Sequence, residues 1–207
     1  MINTQSTMKL SIIFSILPAL LSMSHAIEAP IKGYGIWEPE WEVEALPGRM
    51  HKARGTIEEV RAELLHINPD WDEHYMSEPA LEHRTLEFAK RTDFYTDGWL
   101  VCGQWPEADV PDIVSGIRYL NGVAGRPGNG PGPGNCGRVS CSYGSAIWWC
   151  NDSDKGKQLE SYRSIADGAQ ALLQSCSYDG GFSFSNKVTG QAFHNTNWNV
   201  IVRGDEC

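Results

Sequence analysis

No cysteine precedes Cys102, no cluster of Lys and Arg larger than a pair is present, and beyond Arg91 the chain holds one histidine, His194. Each absence removes a class of function. A phosphate-binding face needs clustered cations, and with a net charge of −9 this chain is expected not to bind nucleic acid. There is no Cys-x2-Cys pair, and one late histidine does not complete a Cys/His set, so no metal is expected. No Gly-x-Ser-x-Gly elbow is present. The stretch 127–134, PGNGPGPG, lacks the Gly-Lys-Ser/Thr ending of a phosphate loop, and its prolines remove backbone donors. After the run Leu10–Leu21 no second apolar run of spanning length follows, so no membrane span is expected. With neither a phosphate loop nor a metal set, no cofactor is expected.

What is present points first to a compartment. Lys9 precedes the apolar run, and Ser24-His25-Ala26 places small residues where a signal peptidase cuts, so residues 1–26 read as a signal peptide ending at Ala26. Export leads to an oxidising compartment, where an even number of cysteines favours bridges. The six cysteines, Cys102, Cys136, Cys141, Cys150, Cys176 and Cys207, are therefore expected to form three disulfides, out of fifteen pairings that six cysteines allow.

Residues 27–91 differ from the rest in being cysteine-free and the more acidic part of the chain. Thr56-Ile57-Glu58-Glu59 is a capping box opening a helix through Ile67, with Ile57, Val60, Leu64 and Ile67 on one face and Asn68-Pro69-Asp70 as the stop. Lys90-Arg91 closes the segment just before the cysteines begin, and reads as a dibasic processing site. This organisation gives an acidic pro-segment with one helix over 27–91 and a mature domain over 92–207.

Within 92–207 the centre is GPGNCGRVSCSYGSAIWWCN, residues 132–151. Two strand-like runs flank Tyr143-Gly144, and a hairpin turn there sets Cys136 roughly across from Cys150. The glycine- and proline-rich approach is expected to be loop. Asp109-Val110-Pro111-Asp112 starts a helix whose apolar face is Ile113, Ile117 and Leu120, ending near Gly122. A second helix begins near Ser161 or Ser164 and carries Ile165, Ala169, Leu172, Leu173 and Cys176 on one side, so Cys176 ties it to the sheet. Lys187–Phe193 and Trp198–Arg203 read as strands. The order predicts an α+β fold, a disulfide-stapled sandwich of an antiparallel sheet with two helices on one side. Cys136 with Cys150, and Cys102 with Cys207 as a clasp between the ends, are the expected pairings.

Catalytic groups are sparse. His194 lies at a turn between strands, and Asp152, Asp154, Glu160, Asp167 and Asp179 fall in caps and loops, so no catalytic residue is assigned. Binding has better candidates. Trp148 and Trp149 point to opposite faces of a strand, so they are the candidate binding residues if one face is exposed, the alternative being that both lie in the core or cover a disulfide. Asn151-Asp152-Ser153 is an N-glycosylation sequon.

The stretches NCGRVSCSYGSAIWWCND, SIADGAQALLQSC, VTGQAF and NWNVIVRGDEC, behind a signal and a segment ending in Lys-Arg, resemble small cysteine-rich secreted proteins of filamentous fungi. More distantly the layout is similar to the virus-encoded killer toxins of smut fungi and to the necrosis-inducing effectors of plant-pathogenic fungi. The resemblance implies the fold and the class of a secreted effector or killer-toxin-like protein; with the sparse catalytic groups, a monomeric, non-enzymatic protein acting on a protein or glycan of a host or competitor surface is expected. The killer toxins are basic whereas residues 92–207 are acidic, which speaks against channel blocking. The alternative is a secreted cell-wall glycan binder or hydrolase using exposed tryptophans and carboxylates. Exported protein is expected to begin at Thr92 by intact mass and to show no alkylatable thiol without reduction. Uncut protein beginning at Ile27, or two or more free thiols, would overturn these readings.

Overall fold

The computed structural model describes residues 27–77, 91–181 and 186–207. Ala26 and Lys90, one from each expected cleavage site, lie outside the described residues. The chain forms an α+β fold with three disulfides. In chain order the elements are β1 (Gly35–Ile36), β2 (Glu40–Leu46), β3 (Arg49–Arg54), α1 (Ile57–Ile67), α2 (Trp71–Tyr75), β4 (Gly98–Cys102), β5 (Ala108–Asp109) and α3 (Val110–Gly122). They continue with β6 (Gly128–Asn129), β7 (Asn135–Ser142), β8 (Ser145–Asn151), β9 (Lys157–Gln158), α4 (Arg163–Cys176), β10 (Ser177–Asp179), β11 (Asn186–Val188), β12 (Gly190–His194) and β13 (Trp198–Gly204).

The main sheet runs β1-β7-β8-β13-β12-β4. Its neighbours are antiparallel except β1, which adds to β7 in parallel, so the sheet is mixed rather than wholly antiparallel. The β7–β8 hairpin turns where expected, with Tyr143 and Gly144 at φ +47° and +79°, the left-handed pair that a tight two-residue turn requires. That register sets Cys136 opposite Cys150.

One core joins one sheet face to the helices: Ile113, Leu120, Ile165 and Leu172 pack with Ile147, Trp149, Trp198 and Val200. The predicted helix faces in α3 and α4 are buried, and so are Ile57, Val60 and Leu64 of α1, whereas Ile67 in its last turn is exposed; the capping box forms, Glu59 N donating to Thr56 Oγ1 and Thr56 N to Glu59 Oε2. Contact is close where α4 crosses β13. A Cβ added at Gly168 would lie 2.7 Å from Val200 Cγ2 and 2.9 Å from Phe94 Cζ.

The largest departure from expectation is residues 27–77. Instead of one helix they form two helices and three strands, which brings the helices among the described residues to four. Their Trp41, Val43, Ile57, Val60, Leu64 and Trp71 belong to the same core as Ile113 and Trp149. Glu58 on α1 takes hydrogen bonds from Ser140 Oγ (2.5 Å) and the Cys141 backbone N–H (2.9 Å).

Smaller corrections follow from tertiary contacts. The expected strand Lys187–Phe193 is divided at Thr189: β11 pairs with β10 and β5, while β12 joins the main sheet. Gly128–Asn129, expected to be loop, pairs with β9. Asp109 makes no side-chain cap, because its carboxylate receives Lys187 Nζ at 2.6 Å.

Gly168→Ala is expected to lower stability by about 1–3 kcal/mol, the usual cost of forcing a methyl into a filled core. Urea denaturation checks it, and an unchanged midpoint would show that the α4–β13 contact is looser than described.

Candidate functional site

The disulfides frame the site. Cys136–Cys150 forms across the hairpin as expected, with Cα atoms 4.0 Å apart. The expected Cys102–Cys207 clasp is incorrect: Cys102 joins Cys176 and Cys141 joins Cys207. The reason is the strand order. Asp205 N donates to Gly144 O, which turns the tail back to the β7–β8 end of the sheet, while Cys102 sits on the opposite edge strand. β4 and β7 are four strand spacings apart, roughly 19 Å, beyond the ~7 Å Cα separation a disulfide spans. Cys176 ties α4 to the sheet, as its helical face predicted.

Trp148 and Trp149 point to opposite faces, yet both are 0% exposed, so neither is a binding surface. Trp149 lies in the helix-side core, with Trp37 edge-on at 6.0 Å. Trp148 would face water if the second sheet face were bare. Ala29, Ile31, Tyr34 and Trp105 cover it, Arg138 lies over its ring, and Asp205 Oδ2 accepts its indole N–H at 2.8 Å. Asn151 is also a correction. Its side chain is 0% exposed, and Nδ2 donates to Gly130 O and Lys155 O, both at 2.8 Å, which leaves no amide hydrogen or space for a glycan.

The candidate catalytic groups occupy separate places, with bonds that account for them. Glu160 pairs with Arg126 at 2.9 Å on the surface, Asp179 caps Gly181 N, and Asp154 lies on an exposed turn. His194 Nδ1 accepts from the Thr196 backbone N–H, and Thr196 Oγ1, itself receiving the Trp198 indole N–H, lies 2.9 Å from the same nitrogen. The ring stacks on Trp198 at 5.0 Å. Nδ1 is thus an acceptor, which suits a neutral imidazole. Burial lowers the His194 pKa, outweighing the nearby Asp97 carboxylate, and Lys157 adds to the lowering.

A pocket of about 440 Å³ opens on the helix-free face, lined by Ile31, Lys32, Tyr34, Gln104, Asp152, Gln191 and Phe193 among others. Asp152 is its most constrained group. Asn199 Nδ2 reaches both carboxylate oxygens at 2.9 and 2.8 Å, and Tyr34 donates to Oδ1 at 3.0 Å. Burial and this bond push the Tyr34 hydroxyl up to about 12. Gln191 is buried in the pocket wall, and Gln104 is held at φ +80°, a conformation that costs a non-glycine residue energy. Beside the pocket Trp99, 56% exposed on edge strand β4, stacks on Phe193 at 4.9 Å and 12°. This flat aromatic ledge was missed from the sequence. Gly98-Trp99-Leu100-Val101 is a short apolar run without alternation, so neither the strand nor its open face stands out in the sequence.

A second groove, about 1180 Å³, runs between β2–β3 and the β6–β9 pair, with Trp37, Arg54, Arg126, Asn129, Lys157 and Tyr162 in its walls. Among the described residues no group of three or more His, Cys, Asp and Glu side chains is arranged to hold a metal ion, and no helix is long and apolar enough to cross a membrane. Comparison with protein-family models, with curated protein sequences and with solved structures gave no match in any of the three.

His194, neutral in the folded state, contributes stability that is present above its ordinary pKa of about 6.5 and lost as pH falls below it. Replacing it by Gln should lessen the loss of thermal stability between about pH 7 and pH 5. An NMR titration of the wild-type ring should give a midpoint below about 6.5, and one at or above that value would overturn the assignment.

Proposed function

We propose that this is an exported, non-enzymatic binding protein of effector or killer-toxin-like type, acting on the surface of a host or competitor cell. In this reading the signal peptide is removed after Ala26, the chain is cut after Arg91, and the disulfides preserve the fold outside the cell. One bridge is worth typically about 2–5 kcal/mol in a small secreted domain.

The observation that carries the binding reading is the pairing of the Trp99–Phe193 ledge with the fixed Asp152 carboxylate. A saccharide ring presents an apolar C–H face and a rim of hydroxyl groups. The first stacks on an exposed aromatic face, and the second needs oriented acceptors and amides. The ledge supplies one and Asp152 with Gln191 the other. The pocket volume falls in the range of about 300–1,000 Å³ usual for small-ligand sites. Preorganisation of Asp152 by Asn199 and Tyr34 lowers the ordering cost of association. The occupant favoured is therefore a cell-wall oligosaccharide.

Calorimetric titration with soluble β-glucan, chitin and pectin fragments tests this. Saturable binding to one class is expected. Trp99→Ala should weaken it about tenfold, near 1.4 kcal/mol, and Asp154→Ala, outside the pocket, should leave it unchanged. Binding to a purified surface protein but to none of the fragments would replace the saccharide reading. Shortening of a fragment during the titration would make the protein an enzyme.

A further inference from the structure

Thr92, the residue after the dibasic pair, is already seated against an acid. Its backbone nitrogen donates to Asp167 Oδ2 at 2.9 Å, and Phe94, two residues on, is fully buried against Trp198 and α4. Asp167 sits in the second turn of α4 with its side chain 9% exposed. Its charged neighbours are Arg91, whose Nε is 3.8 Å away on a largely exposed side chain, and Arg163 on the same helix. A carboxylate at that depth costs energy unless a close cation balances it.

Residues 27–77 make an interface of core quality with the part that follows, and no cysteine precedes Cys102 to join them covalently. Trp41 stacks on Tyr162 at 4.3 Å, and the Tyr162 hydroxyl donates to Glu40 O at 2.7 Å. β1 hydrogen-bonds along β7, with Trp37 N donating to Cys136 O at 2.9 Å, and Trp105 Nε1 donates to Pro30 O at 2.9 Å. Both the pocket and the larger groove take one wall from each side of Arg91.

We infer that cleavage after Arg91 nicks this protein without trimming it, leaving residues 27–77 bound as a non-covalent subunit and delivering the new Thr92 α-ammonium to a preformed ion-pair site at Asp167. The chemistry is hydrolysis by a dibasic-specific endoprotease. Water adds across the Arg91–Thr92 amide, leaving a carboxylate on Arg91 and, after proton uptake, an ammonium on Thr92. The nitrogen that donated one neutral hydrogen bond becomes a cation at the same carboxylate. Burial holds the Asp167 pKa above its ordinary value in the uncut chain, against the opposing pull of Thr92 N–H, Arg91 and Arg163, so its charge is under-compensated there and gains most from an added cation. The released Arg91 carboxylate stays on the exposed side, with the bound segment.

This inference rests on the processing proposed above, so the test supplies the cut itself and reads association, not saccharide binding. The chain is nicked in vitro with a dibasic-specific endoprotease, and an identical product is made by co-refolding separate chains 27–91 and 92–207. Native mass spectrometry at micromolar concentration should show one 1:1 complex from either route, separating only in denaturant. Glu58→Lys, which removes both hydrogen bonds to the hairpin, should weaken it about tenfold or more. Free, folded 92–207 would overturn retention. In the nicked protein the Thr92 amine should titrate about a unit or more above the usual 7.7–8.0, and return to that range in the isosteric Asp167→Asn. An ordinary value in the wild type would overturn the ion pair, whichever way the association test falls.

Discussion

The constraint on which the structure depends is the double burial of β8. Every residue of Ser145–Asn151 is buried, so both faces of the central strands need a cover. The helices cover one face. The other is covered by a less regular layer: the arm Ala29–Tyr34, Trp105, Arg138 and the C-terminal tail, which Cys141–Cys207 holds down. Burying two indoles and their flanking residues favours closure strongly. It also determines which surface is left for recognition, namely the β12–β4 end of the same face, where the covering layer stops and the Trp99–Phe193 ledge begins.

Several acidic side chains act as joints rather than as solvating charge. Glu58 connects α1 to the hairpin bulge, Asp152 gathers Tyr34 and Asn199 from distant parts of the chain, and Asp167 holds the backbone at Thr92. Each acid takes hydrogen bonds from neutral donors, which makes it a point where adding or removing a charge has a large effect. The acidic segment's net charge therefore says little about its role. A few of its acids and its Trp41, Val60 and Leu64 are structural.

Local features were legible because nearby residues decide them. The capping box at Thr56, the Tyr143-Gly144 turn, the Cys136–Cys150 bridge and the buried stripe of α4 each depend on partners within one turn or one hairpin. The candidate site was barely legible. Tyr34 is 118 residues from Asp152, and the pocket exists because a parallel β1 and its preceding arm lie over a hairpin formed a hundred residues later. Asn151 shows the converse: the sequon is a three-residue pattern, but its amide is committed to two backbone carbonyls by the fold.

By itself, then, the order of residues determined α1, α3 and α4, most of their apolar faces, the hairpin and the Cys136–Cys150 register, because hydrogen bonds and side-chain periodicity over a few residues suffice for each. The tertiary structure alone decided which cysteines meet at long range, that both tryptophans of the hairpin are enclosed while Trp99 stays open, and that residues 27–77 share a core with the cysteine-rich part. Those outcomes depend on strand order and on which surface covers which. Packing energy selects among many arrangements with the same local pattern, so the pattern alone cannot.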